Sequence, residues 1–487
     1  MKKISLTALL IIITITLFAQ KTYNIKDFGA IGNGTSLDTK AINEAITQCS
    51  LEGGGIVLFP KGNIFLTGSI HLLSNIEYCI EKGAVIKGAP NGINAYDIPE
   101  ENQWSAYQDF GHSFYRNSLI WGENIENISF TGGGEINGGG ITRKVVKPGD
   151  GNKAIALKLC KNILFENITV INGGWFAFIL NGCSDIKFNR IKINTVRDGI
   201  DLMSCSNVVI SNSEISSIRQ DNGKAVGGDD AIGIKSDYAL GKTLSSENIL
   251  IENCVISSGC NAIQFGSETV GDFKNIRVEN CVINGADKAG LGITSNDGSV
   301  IDNVLFKNII MTKVSTPIFM YVSDRLRTPD PKKIGKIKNI TIENVAAYDC
   351  YGYIKNENFT STISGHKNSS IDNVKIKNLT IVYKGGVEKG PLQCPENSPT
   401  KYTPKGLGVR PASGFYIRNA KNILMSQIAI SFEKPDYRPP FVFDTVDSLI
   451  ISDPTISSNA LIDVELINTN GFSQTGVNKL KVNISEL

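Results

Sequence analysis

Two acidic turns stand out in residues 194–236, which read NTVRDGIDLMSCSNVVISNSEISSIRQDNGKAVGGDDAIGIKS. Asp198 and Asp201 sit in a DGID turn, and Asp229 with Asp230 opens a second turn after a strand-like run and a polar insertion. Carboxyl groups grouped this way suit general acid–base hydrolysis. One member hands a proton to a leaving oxygen while another draws a proton from water. Crowding like charges raises the pKa of one member, so it stays protonated near working pH. The scheme requires the two turns to lie side by side. If the strands after them stack as neighbouring layers, the turns are about 5 Å apart.

The positioning elements are legible as an internal repeat. A unit close to x-N-I-x-[FIV]-x-N-x-x-I recurs as NILFENITV from residue 162, DIKFNRIKI from 185, NVVISNSEI from 207, NILIENCVI from 248 and NIRVENCVI from 275. It continues as NVLFKNIIM from 303, NITIENVAA from 339 and NVKIKNLTI from 373, with outlying copies near 75, 124 and 422. Alternating β-branched positions mean short strands with one face turned inward. A period in the low twenties suits one coil of a parallel β-helix, and no coil can bury its apolar face alone. We therefore expect an all-β chain: one right-handed parallel β-helix of about ten to twelve coils. Helical spacing over Asp38 to Cys49 predicts a helix capping its open N-terminal end.

Asn167, Asn212, Asn253, Asn280, Asn308, Asn344 and Asn378 share one register of the unit. Asn tolerates the left-handed turn and bonds neighbouring backbone, so these predict a structural ladder at a corner. Cys160, Cys183 and Cys205 also recur in register, predicting stacked inner-face thiols, with disulfides open as an alternative. No CxxC pair and only three histidines argue against a metal, and no cofactor is expected. The repeat spacing stretches at residues 88–118, 217–227, 322–335 and 383–415, predicting long loops on a rigid scaffold. The aromatics of the first loop would either stack on a ligand or pack the loop down. Arg325, Arg327, Lys332 and Lys333 read first as a solvated charge run, with contact to an acidic sugar as the alternative.

Of the 487 residues, the first 19 carry two lysines, an apolar run and a small residue before Gln20, the pattern of a cleaved signal peptide. Residues 20–487 would then be a single exported domain, secreted or periplasmic, with no membrane association and no oligomer. The formal net charge is +2, which becomes neutral without those lysines and gives no general case for nucleic acid.

The N-T…D-G-x-D and G-D-D-x-I-x-I-K-S blocks around Asp198 and Asp229 resemble those of glycoside hydrolase family 28, the polygalacturonase-like enzymes. The likeness runs over roughly residues 22–345. Val196 and Arg197 are inserted where the family usually has nothing. The resemblance implies a pectic or related polysaccharide substrate cleaved with inversion. It further implies that Asp229 is the general acid, that Asp198 and Asp230 activate water, and that Asp201 holds the turn or touches substrate. The family's His and two basic residues, which bind the substrate carboxylate, are replaced here by Asn261, Gly292 and Thr294. Arg197 and Lys235 are therefore expected as substitute cations, with Asn261, Gln264 and Glu268 completing the substrate-binding set. Two alternatives stay open: a β-elimination lyase on the same scaffold, with Lys235 or Arg197 as base, and a non-catalytic carbohydrate-binding solenoid.

Overall fold

The computed structural model of the protein describes residues 20–142, 144–222, 224–329, 331–391 and 395–485. The expected signal segment, residues 1–19, lies outside the described residues.

Each repeat unit becomes a short strand whose alternate side chains point inward. In Lys161–Glu166, Ile163 and Phe165 are buried while their neighbours face out. The strand pairs in parallel with Glu126–Thr131 on one side and Ser184–Asn189 on the other. Ile163 thereby stacks between Ile128 and Ile186, and Phe165 between Phe130 and Phe188. The three phenyl rings are stacked, with centroids 5.2 and 4.9 Å apart. The same pairing repeats along the chain, so the apolar positions form continuous rows within a right-handed parallel β-helix. One core cluster runs from Tyr23 to Leu466.

This ladder begins at Thr22–Asn24 and still pairs in parallel at Asn470–Thr475, so rungs extend beyond the repeat copies at both ends. The expected capping helix is Thr39–Leu51, which buries Ala41, Ile42, Ala45, Ile46 and Cys49 against the first coils. The strands past residue 456 continue the helix instead of closing it: Val464–Ile467 pairs with Phe441–Ser452 and then with Val482–Ser485.

The asparagine register forms the expected corner. Its seven members adopt φ between 52° and 56°, and Asn308, Asn344 and Asn378 each donate to the asparagine one coil back at 2.9, 3.0 and 2.9 Å. A second ladder occupies the other Asn of the unit, from Asn127 through Asn162 and from Asn207 through Asn248, Asn275 and Asn303. The nine described cysteines are free thiols, and all but Cys79 are buried.

Phe165→Ala leaves a cavity in the aromatic row and should lower the unfolding free energy by about 3–5 kcal/mol. Asn344→Ala removes two ladder bonds, one to Asn308 and one from Asn378, and should cost roughly 2 kcal/mol. Urea unfolding followed by far-UV circular dichroism measures both.

Candidate active site

The acidic turns belong to adjacent coils. Asp198–Met203 pairs in register with Ile232–Ser236, which pairs with Ile263–Thr269, which pairs with the end of Phe273–Ser295. One outward row therefore reads Asp201, Gly233, Gln264 and Gly292, one residue per coil. At two of these positions glycine leaves room for the polar tip of a neighbouring side chain, which any Cβ would displace. A Cβ on Gly233 would sit 2.4 Å from an Asp201 carboxylate oxygen, and one on Gly292 would sit 2.2 Å from the Gln264 amide oxygen.

A cavity of about 180 Å³ opens over these coils. Asp198, Asp229 and Asp230 all line it, together with Arg197, Lys235, Asn261, Gln264, Glu268 and Thr294. Asp229 is the exposed member of the three, its side chain 30% accessible against 3% for Asp198. The Arg197 guanidinium bridges the two coils, with Nε 3.1 Å from Asp229 and 3.6 Å from Asp198. It lies flat over Trp175, 4.1 Å from the ring centroid. Asp230 accepts from the Asn261 backbone at 3.1 Å and from its side-chain amide at 2.8 Å.

Asp201 departs from its expected place. DGID is the start of a strand, not a turn, and Asp201 is wholly buried beneath the cavity floor. It accepts from Lys235 Nζ at 2.6 Å, and His112 Nε2 stands 3.5 Å away. Lys235 also lies 3.6 Å from Asp198. The substitute cations are thus both engaged with carboxylates: Lys235 under the floor, Arg197 across the acidic pair. Asn261 is likewise turned onto Asp230, and Gln264 donates to Phe265 O at 2.7 Å and Thr294 Oγ1 at 3.1 Å.

The loops supply further groups around the cavity. His112, from residues 88–118, sits 3.5 Å from Glu268 as well as from Asp201. Arg327 pairs with Glu268 and, at 2.9 Å, with Asp109. Arg325 donates to Asp297 at 2.9 Å and to Ser267 O at 2.6 Å, beneath Tyr402. These arginines are a cross-braced wall rather than a solvated charge run. Phe110 and Phe114 pack together, and Phe110 stacks on Trp175, while Trp104 and Tyr107 pack on Tyr238, so those aromatics hold the loop down. Lys288 enters from the coil after Asn261, lining the cavity beside Asp229, Asp230 and Cys260. His112 and the arginines carry no periodic signal. Lys288 had one: its coil stacks on that of Cys260, to whose carbonyl its backbone N–H donates at 2.8 Å.

The charges are strongly coupled. Burial, then the charges of Asp229 and Asp201, push the Asp198 carboxyl well above its ordinary range. Burial and Asp229 push Asp230 up as well. Burial alone would lower the Lys235 ammonium, but Asp201, Asp198 and Glu268 hold it well above its usual value. Burial also opposes a charged His112, yet Glu268 and Asp201 together hold its proton more firmly than usual. Burial would raise Glu268, but His112, Arg325 and Lys235 bring it far below the ordinary carboxylate value. The cluster therefore holds Asp198 and Asp230 toward their protonated forms, and as a coupled pair they titrate together.

Asp229, Asp230 and Cys260 place their ligand atoms within 4.8 Å of one another, the one group among the described residues able to hold a metal. The set fits a cation poorly. Burial keeps the Cys260 thiol protonated, and the Lys288 ammonium already faces both carboxylates.

The description "Glycosyl hydrolases family 28" matches residues 103–403, more than half of the chain. The chain belongs to this family. It is a glycoside hydrolase, acting on O-glycosyl bonds. Among family 28 relatives, it is 24% identical over 400 residues to a probable polygalacturonase of Vitis vinifera, covering 76% of each chain. It is 25% identical over 375 residues to an endo-polygalacturonase of Pectobacterium carotovorum, covering 71% of this chain and 88% of that one. The structure of the Yersinia enterocolitica family 28 exopolygalacturonase superposes with a TM-score of 0.66 at 18% identity. That match covers 90% of this chain and 78% of the other, and shows the fold.

Asp198 has a folded-state pKa above its unfolded value, so the native state holds its proton to higher pH. Its contribution to stability is full below about pH 4, the unfolded value, and is lost as pH rises through the folded value. Asp198→Asn should therefore raise the melting temperature at neutral pH, and the gain should vanish in acid. Melting curves across a pH series measure this.

Proposed function

We propose that the protein is an exported hydrolase that cleaves a glycosidic bond in a pectic or related acidic polysaccharide with inversion. Three carboxyl groups around one cavity, crowded enough to retain a proton, carry the reading. Asp229 is the general acid, because it alone of the three is substantially open to the cavity and can reach a leaving oxygen. Asp198 and Asp230 share the base role: the member of this coupled pair that is ionised takes a proton from the water attacking the anomeric carbon as Asp229 protonates the departing oxygen, so the C–O bond breaks with its electrons going to the leaving group.

An acidic sugar in a partly desolvated cavity needs a paired cation, since an unpartnered charge costs several kcal/mol. Asn261, Gly292 and Thr294 supply none. Arg197, Lys235 and Lys288 are the lysines and arginines that line the cavity, and each already faces carboxylates: Asp229 for Arg197, Asp201 for Lys235, Asp230 and Asp229 for Lys288. This different placement supports a substrate whose acid group or substitution differs from plain polygalacturonate. Among the described residues no helix is long and apolar enough to cross a membrane. Elimination is disfavoured on physical grounds. It would require a basic residue able to lose its proton, and the carboxylates around Lys235 do the opposite.

Asp229→Asn should lower kcat by about 10² to 10⁴ with the fold intact, the range for loss of a general acid or base. Asp198→Asn and Asp230→Asn should fall steeply too. Reducing-end release from a panel of plain, branched and modified pectic polysaccharides tests the substrate, and proton NMR of the first-formed anomer tests inversion. Lys288→Met should raise KM for an acidic substrate more than for its methyl-esterified form. Equal effects on both, or fast cleavage of plain polygalacturonate unaffected by Arg197→Ala, would sink the substrate assignment.

A further inference from the structure

The outward rows of the catalytic coils continue toward the C-terminal end. After Gly292 one row runs in register through Phe319, Thr362, Tyr416, Val442 and Glu465. After Thr294 the next runs through Tyr321, Ser364, Arg418, Asp444 and Ile467. Residues 397–410 cover the middle of both. Leu407 and Tyr402 pack in one cluster with Phe319 and Tyr321, Ser364 donates to Asn397 at 2.7 Å, and Arg410 donates to Thr362 at 3.0 Å. Past that cover the same face carries a second groove, of about 420 Å³. It is lined by Val442, Glu465 and Ile467 from the rows and by Pro411, Tyr437 and Pro439 beside them.

Tyr437 is an exposed aromatic on a stiff mount. Its ring is left 55% accessible, yet the turn that carries it, PDYRPP from residue 435, holds three prolines and a buried ion pair. Asp436, fully buried, accepts from Arg438 Nε at 3.0 Å and Nη2 at 2.8 Å. Arg438 Nη1 donates to Arg410 O at 3.0 Å, and the Tyr437 N–H donates to Val387 O at 3.1 Å, so the turn is fastened on both sides. Proline fixes φ, and a mount already fixed loses little freedom when a ligand docks on the ring. A flat aromatic among proline rings matches the apolar face of a sugar, with a few polar groups to set its orientation. Glu465, held by Asn483 and Ser485 at 3.0 and 2.7 Å, offers acceptors to sugar hydroxyls. The charges around the groove balance, Lys389 and Arg438 against Glu388 and Glu465, which suits a neutral stretch of glycan better than a charged one.

We propose that this groove is a second, non-catalytic glycan site, which docks a neutral or esterified stretch of the polymeric substrate on the face that bears the catalytic cavity. The inference takes its polymer from the hydrolase reading above and adds a site outside the cavity. Five strand spacings separate Thr294 from Ile467, roughly 24 Å, so a short oligosaccharide in the cavity does not reach the groove whereas a polymer engages both. Tyr437→Ala should raise KM for long methyl-esterified pectin by roughly tenfold while leaving kcat and KM for a short acidic oligosaccharide unchanged. Binding is read separately by affinity electrophoresis of the full-length Asp229→Asn protein through gels containing the same pectin. Its retardation should persist under saturating short acidic oligosaccharide, fall when Tyr437→Ala is added, and return with Tyr437→Trp, which keeps a flat ring on the same mount. Unchanged retardation and KM in a folded Tyr437→Ala protein would overturn the proposal. So would self-association in sedimentation that Tyr437→Ala abolishes, without retardation by pectin, since the groove would then seat a second copy. Should Tyr437→Ala not fold, complete loss of retardation under the short oligosaccharide would refute the site by itself. Retardation that depends on Tyr437, with no reducing ends released from any polymer, would support the glycan site and remove the hydrolase reading.

Discussion

Asp198, Asp230 and Lys235 of the cavity owe their positions to the in-register parallel ladder beneath them. Because one coil's strand hydrogen-bonds to the next, a side chain at a given register lies one strand spacing from its counterpart in the neighbouring coil. That spacing brings Asp198 and Asp201 against Asp229, Asp230 and Lys235, although some thirty residues of chain separate the two sets. The rigidity belongs to the rows of isoleucine, valine and phenylalanine inside. The acidic face is held still by an apolar core that touches no substrate.

Placing this much charge in so little water is costly, and the arrangement limits the cost by pairing. Lys235 sits between Asp201 and Asp198, His112 between Asp201 and Glu268, and Arg327 closes the chain to Asp109. Removing one partner would strand its mate in a buried site, a larger penalty than the pair itself contributes. Two carboxyls of the cavity keep their protons in spite of those pairings. Asp198 and Asp230 keep raised pKa values because burial and Asp229 outweigh the cations near them. Stability is given up at these positions for reactivity, the usual relation between a fold and its working site.

The fold was legible in the sequence because its signal is periodic: one strand per unit, Asn at each corner, apolar residues at alternate sites. The acidic pairs were legible for the same reason, since they interrupt that pattern at matching places. Asp201 was misplaced because Asp-Gly resembles turn chemistry, whereas Ile200 and Leu202 on either side point inward and make the segment a strand. His112 and Tyr402 were not legible as site residues, and Arg325 and Arg327 were legible only as a charged loop. They come from loops whose conformation is decided by tertiary contacts, such as Phe110 on Trp175, that no local pattern encodes.

The repeat architecture also bears on how the molecule comes apart. In a solenoid each coil is stabilised by its two neighbours, so opening begins at the termini and proceeds inward. The last strand, Val482–Ser485, pairs on one side only among the described residues and leaves Ile484 74% exposed. The catalytic coils lie mid-stack, with rungs before and after them. Fraying, and the amide hydrogen exchange that reports it, is thus greatest far from the acids. Heat or protease would erode the stack's ends while the working coils were still intact.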